Sequence, residues 1–140
     1  MKQFTLYVSE KDSLIVYPSN TAQSFFIQLP KLIHLDSTRQ WFCALHQIQI
    51  LCSVERQGPL YIQSDFCIEQ YFHGRYSPVL ASFILKSSLS WQDFNLKNQN
   101  NYIEIKNSSL TIIHFKLNGE SADAVSQIRL QLHFKSKKNG

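Results

Sequence analysis

The sequence predicts an all-β fold of about eight antiparallel strands, and three observations predict it. Apolar residues recur with a period of two, turn residues separate most of the apolar runs, and no long stretch carries a helical stripe. Strict alternation puts successive side chains on opposite faces of a strand. Ala, Leu and Glu are sparse where a helix would need them, while Ile, Phe, Tyr and Thr are frequent.

Taken in order, candidate strands fall at about residues 3–8, 12–17, 23–29, 40–52, 60–68 and 79–86. Turns between them are supplied by Pro18-Ser19-Asn20, Gln57-Gly58-Pro59, His73-Gly74, Ser77-Pro78 and Asn118-Gly119. Tyr17-Pro18-Ser19-Asn20 is chemistry that stops one strand and starts the next, and Leu29-Pro30 is expected to end a strand because proline gives the ladder no donor. Asn98 to Asn101 reads as a loop, and Tyr102 to Lys106 alternates cleanly. From Ser109 to Leu117, the expected faces are Thr111, Ile113, Phe115 and Leu117 against Leu110, Ile112, His114 and Lys116. Glu120 to Val125 has room for one short helical turn. In the last strand Ile128, Leu130, Leu132 and Phe134 face one way, and Gln127, Arg129, Gln131 and His133 the other.

So many short strands in 140 residues leave room for one domain, 1–140, with 135–140 as a basic tail beyond the last apolar residue. Half-apolar strands are buried by pairing two antiparallel sheets face to face, or by closing a barrel. Hydrophobic residues make up 44% and charged ones 17%, which excludes a disordered chain and agrees with a surface partly covered by another subunit. No apolar run suits a secretory signal or a membrane span, so the expected location is cytosolic or nuclear. The formal net charge is +4, and part of it comes from Lys135, Lys137 and Lys138, the candidate nucleic-acid contacts.

Nothing in the chain has the pattern of a catalytic or metal centre. The three cysteines, Cys43, Cys52 and Cys67, have neither disulfide nor zinc spacing and read as buried thiols. Among the five histidines, His114 and His133 lie in alternating strands that a sheet could place side by side, but no ligand motif accompanies them. No nucleophile elbow or phosphate-cradling loop is present, and Asp65, Glu69, Asp93 and Glu104 are scattered. The expectation is therefore no enzyme, no metal and no cofactor. Tyr71-Phe72-His73-Gly74-Arg75-Tyr76 interleaves aromatics with a base, as single-strand nucleic-acid binders do.

Three blocks, in order along the chain, resemble one family. The first is Val16-Tyr17-Pro18-Ser19-Asn20-Thr21-Ala22-Gln23-Ser24-Phe25-Phe26-Ile27-Gln28-Leu29-Pro30, then Ile33-His34-Leu35 and Trp41-Phe42-Cys43-Ala44-Leu45-His46-Gln47-Ile48. The second is Pro59-Leu60-Tyr61-Ile62-Gln63-Ser64-Asp65-Phe66-Cys67-Ile68, with His73-Gly74 and Ser77-Pro78-Val79-Leu80 behind it. The third is Tyr102-Ile103-Glu104-Ile105 and Ile128-Arg129-Leu130-Gln131-Leu132-His133-Phe134-Lys135. Together they are similar to the penton-type minor capsid proteins of Polinton (Maverick) elements and adintoviruses. Gln47, Ser64 and Ala81-Ser82 depart from that pattern, where an acid, a cysteine and a base are usual.

The resemblance implies a single jelly-roll β-sandwich and a virion capsid protein assembled in the host nucleus or cytoplasm. It also implies a homopentamer at each icosahedral vertex and contacts with a double-jelly-roll major capsid protein. The basic tail would then face the packaged genome. Two other readings compete. A lectin-like or receptor-binding β-sandwich would need an exposed aromatic with a carboxylate or amide cluster at one sheet end. A small nucleic-acid-binding β-barrel would show strongly salt-dependent binding.

Overall fold

The computed structural model describes residues 2–99 and 101–138. Its strands are β1 (Gln3–Ser9), β2 (Ser24–His34), β3 (Arg39–Cys52), β4 (Gly58–Ser64), β5 (Gln70–Phe72), β6 (Arg75–Ser77), β7 (Val79–Leu85), β8 (Gln92–Asn95), β9 (Ile103–Glu104), β10 (Ser109–Asn118) and β11 (Val125–Lys138). Two 3-10 turns, Lys97–Gln99 and Ala122–Ala124, interrupt them. The second falls where the sequence allows a short helical turn; the first overlaps the expected Asn98–Asn101 loop, whose Asn100 is outside the described residues.

Among the described residues all strand pairs are antiparallel, and apart from β5–β6 they form two four-position sheets. The first runs β1-β11-β3-β8, and β9 also pairs with β3; the second runs β2-β10-β4-β7. Because β8 meets Gln47 to Ile50 of β3 and β9 meets Phe42 and Cys43, the two are halves of one broken strand. With the small β5–β6 hairpin set aside, eight strand positions remain. First pairs with last, second with seventh, third with sixth and fourth with fifth, the winding of a jelly roll.

Inward-facing residues of both sheets make the core. Phe134 stacks on Phe4 at 4.7 Å, Phe66 reaches Phe134 at 5.5 Å and Phe115 at 6.1 Å, and Phe115 stacks on Phe25 at 5.2 Å. This chain of rings crosses from one sheet to the other. Each buried phenylalanine contributes roughly 1.5–3 kcal/mol of transfer free energy, and the four fully buried ones, Phe25, Phe66, Phe115 and Phe134, share the core with fully buried Ile48, Ile50, Leu60 and Ile62.

Four expectations are corrected. Residues 12–17 form no strand. The Asp12 carboxylate accepts from the Ser9 amide at 2.9 Å and Tyr17 N–H donates to the Ser13 carbonyl at 2.8 Å, so the chain turns repeatedly. Leu29-Pro30 does not end β2, which continues to His34. Proline is tolerated there because β2 is an edge strand, and residues 29–32 bulge opposite Thr111 between the pairs Gln28–Ile112 and Ile33–Leu110.

That same bulge resets the phase of β10, so Leu110 joins Ile113, Phe115 and Leu117 in the core while Thr111 faces outward. Finally, Lys135 to Lys138 are not a tail. They are the last rungs of β11, paired with Phe42, Trp41, Gln40 and Arg39, since backbone pairing needs no apolar side chain. Asn139 and Gly140 of the expected tail lie outside the described residues.

Candidate interaction surfaces

The residues singled out by the family resemblance mostly shape the backbone or fill the core. Asn20 N–H donates to the Tyr17 carbonyl at 3.1 Å, closing a turn with Pro18 at its second position. The Asn20 amide then accepts from Phe26 N–H at 2.9 Å and donates to the Phe26 carbonyl at 2.8 Å, mimicking a strand partner for β2. Phe25, Trp41, Leu45, Ile48, Leu132 and Phe134 are buried, Leu29 packs on the core, and Pro30 is exposed in its bulge. Trp41 also donates its ring N–H to the Asp36 carbonyl at 3.3 Å.

Asp65 accepts from the His114 amide at 3.1 Å while Ser64 Oγ donates to the His114 carbonyl at 3.0 Å, so the end of β4 is stitched to β10. The Pro78 carbonyl accepts from Ser64 N–H at 3.1 Å, next to β7. His73 and Gly74, at φ 48° and 85°, make the two-residue turn between β5 and β6. That hairpin carries the predicted aromatic patch. Tyr71 and Tyr76 meet edge to face at 5.7 Å, each 70% exposed, and Phe72 packs on Tyr61 at 5.0 Å.

The outer face of the first sheet is polar and ordered in rows. Ser9, Arg129, Gln49 and Asp93 lie across one row, and Tyr7, Gln131, Gln47 and Asn95 across the next. Gln47 donates to both Asp93 oxygens at 2.8 and 2.9 Å, and the Arg129 guanidinium covers Trp91 at 4.2 Å. A shallow groove of about 320 Å³ runs here between Tyr7, Asp12, Gln49, Arg129 and Gln131.

Further along this face His46 and His133 stack at 4.8 Å, brought together because β3 bulges at His46. Tyr102 Oη bridges them, 3.1 Å from His46 Nε2 and 2.7 Å from His133 Nδ1. The contact of His133 Nε2 with Gln3 Oε1 at 3.0 Å sets the tautomers. An amide oxygen only accepts, so His133 Nε2 carries the proton, Nδ1 takes the Tyr102 hydroxyl, and His46 Nε2 donates to Tyr102. Burial holds both histidines below their ordinary range, with His133 adding to the effect on His46 and Lys135 to that on His133. Burial likewise raises Tyr102.

Beyond this network lie the candidate nucleic-acid contacts. The Lys135 ammonium sits 3.8 Å from the Tyr102 ring centre and that of Lys137 5.4 Å from Phe42, both at the end of the sheet where Lys138 pairs with Arg39.

His114 and His133 do not meet, because their strands belong to different sheets. His114 Nε2 is instead 2.8 Å from Ser24 Oγ, and its ring stacks on Phe26, which stacks on Tyr17. Cys43, Cys52 and Cys67 are buried; burial pushes the Cys43 thiol well above its ordinary range and that of Cys67 to about 12. Such thiols are poor nucleophiles. Among the described residues no cluster of three or more His, Cys, Asp or Glu could hold a metal ion, and no helix is long and apolar enough to cross a membrane.

Sequence reasoning missed three buried or half-buried polar anchors. Glu10 accepts from Ile128 N–H at 3.0 Å, and Gln23 donates to the Ala122 and Val125 carbonyls. Gln92 bonds both backbone groups of Lys86. Nothing in a single sequence distinguishes these from solvated loop residues. The exposed aliphatic tip Leu14-Ile15-Val16 was missed as well, since a β-branched run reads as a strand; Ile15 is 100% exposed.

No family model and no curated protein matches the sequence. Among solved structures, the selenomethionine-labelled mavirus penton protein matches with a TM-score of 0.61 at 7% identity, over 98% of this chain and 100% of that one. At this identity the likeness is one of fold, and the fold is a penton-like jelly roll. The Drosophila NLP-core, a structure described for pentamer formation and histone binding, matches at a TM-score of 0.43 and 12% identity, over 99% and 100%. That likeness is too loose to support any inference.

Proposed function

We propose that this chain is a non-enzymatic, penton-like minor capsid subunit of the Polinton and adintovirus kind. Five copies would close each icosahedral vertex and meet a double-jelly-roll major capsid protein in the virion. The observation that carries this reading is the end-to-end match of the jelly roll to the mavirus penton protein, in a chain whose sequence blocks resemble, in order, those of penton-type minor capsid proteins. The surface adds support. A closed ring needs two different faces on every subunit, and Tyr7, Ile15, Val16 and Ile84 are large apolar side chains left more than half exposed. Co-expression with the double-jelly-roll protein of the same genome, followed by imaging of the shells, tests the role. Five-fold density of this chain at the vertices is expected, and shells whose vertices never contain it would remove the reading.

One observation favours a second reading, a lectin-like module. The groove of the first sheet combines exposed Tyr7 with amides and Asp12, an arrangement suited to sugar hydroxyls and ring faces. A glycan array separates the two, since a specific hit abolished by Tyr7→Ala would favour the module.

A further inference from the structure

We infer that the end of the first sheet where β11 stops is a nucleic-acid-binding surface that grips the phosphate backbone without reading sequence. Lys2, Arg39, Lys106, Lys135, Lys137 and Lys138 gather there. Ser136 N–H donates to the Lys2 carbonyl at 3.0 Å, Arg39 Nε donates to Ser136 Oγ at 2.6 Å, and Lys106 shares a depression with Arg39 and Gln40. Asp36, in the same depression, and Glu104, paired with Phe42, oppose them.

These six are drawn from 14 basic residues and the two acids from 10, so the cluster holds a net +4 and the remaining eight bases and eight acids cancel. The named cluster thus matches the formal net charge of the chain in size. Such a concentrated field recruits a polyanion by releasing its counterions.

Two details fit a nucleic acid. Lys135 and Lys137 point from the same face of one strand, about 7 Å apart at the usual rise per residue, a regular spacing that follows an extended backbone. Their ammonium groups rest over Tyr102 and Phe42, so less side-chain freedom is lost on binding. An anionic membrane is the poorer fit, because surface-bound proteins add apolar insertion to charge. The aliphatic tip Leu14-Ile15-Val16 follows β1 at the opposite end of this sheet, whereas Lys2 precedes it. That the bound strand is a packaged genome rests on the capsid reading; the binding itself does not.

The test is fluorescence anisotropy of the full chain with a labelled oligothymidylate. With about four phosphates neutralised, affinity should fall roughly fiftyfold when salt rises from about 50 to 200 mM. Lys135→Glu with Lys137→Glu should weaken binding at least tenfold and flatten the salt slope, while Lys86→Glu with Lys116→Glu, an equal change in net charge elsewhere, leaves it within about twofold. Should the first pair unfold the chain, Lys135→Gln with Lys137→Gln is read instead. Equal losses in both pairs, salt-independent binding, or capture by phosphatidylserine vesicles but not by the oligonucleotide would each overturn the inference. A chain that binds in this pattern but forms no rings even with the double-jelly-roll protein present sinks the capsid reading alone, and a pentamer that does not bind sinks this one alone.

Discussion

Asn20 holds Phe26 by both ends of its side-chain amide, at 2.9 and 2.8 Å, and so supplies edge strand β2 with a partner six residues upstream. Beneath this clamp Tyr17 stacks on Phe26 and Phe26 on His114. The short turn Tyr17-Pro18-Ser19-Asn20 thus fixes where β2 begins.

Asn20→Ala removes both bonds and should cost about 1–2 kcal/mol. Asn20→Asp keeps the acceptor and loses the donor, so it should fall between wild type and Ala. Urea midpoints with an unchanged m-value would show this. An Ala variant as stable as wild type would mean that water replaces the clamp freely.

Two glycines separate backbone strain from crowding. At Gly119, φ is +123° and an added Cβ would lie 2.4 Å from the Pro59 carbonyl oxygen; at Gly74, φ is +85° with nothing within 4 Å. Gly119→Ala should therefore cost more than about 3 kcal/mol, and Gly74→Ala only about 1 kcal/mol. Thermal melts of the two variants check the order, and equal losses would contradict it.

The stacked pair His46 and His133 should make stability depend on pH. Both are held below their ordinary value near 6.5, chiefly by burial. The unfolded chain therefore takes up protons first as pH falls. Stability should be level above the ordinary histidine range, decline as pH drops through it, and level again once the folded histidines also protonate. Because both groups remain partly solvated, the loss from about pH 7 to 5 should be on the order of 1 kcal/mol or less. Urea midpoints at the two pH values should differ less in a His46→Gln, His133→Gln variant than in wild type. An unchanged difference would assign the pH dependence to other groups.

How far the sequence could be read depended on what sets each feature. Ile128 to Phe134 was legible because one face of that strand is buried along its whole length, which imposes the alternation. The bulge opposite Thr111 was not, since it arises from the match between two strands distant in sequence, and it moved Leu110 to the core. Leu14-Ile15-Val16 has strand composition but no facing strand, so local preference misled. Lys135 to Lys138 resembled a solvated end because their side chains carry no apolar pattern, yet their backbone pairs with Arg39 to Phe42. The His46, Tyr102 and His133 network needed three separate segments and left no mark in any one of them.

The most direct measurement is the native mass of the purified protein by light scattering across concentration, with negative-stain imaging of the largest species. Five copies of 16.3 kDa, about 82 kDa, seen as five-fold rings, are expected. A monomer at every concentration, forming no rings even with its double-jelly-roll partner present, would contradict the capsid assignment.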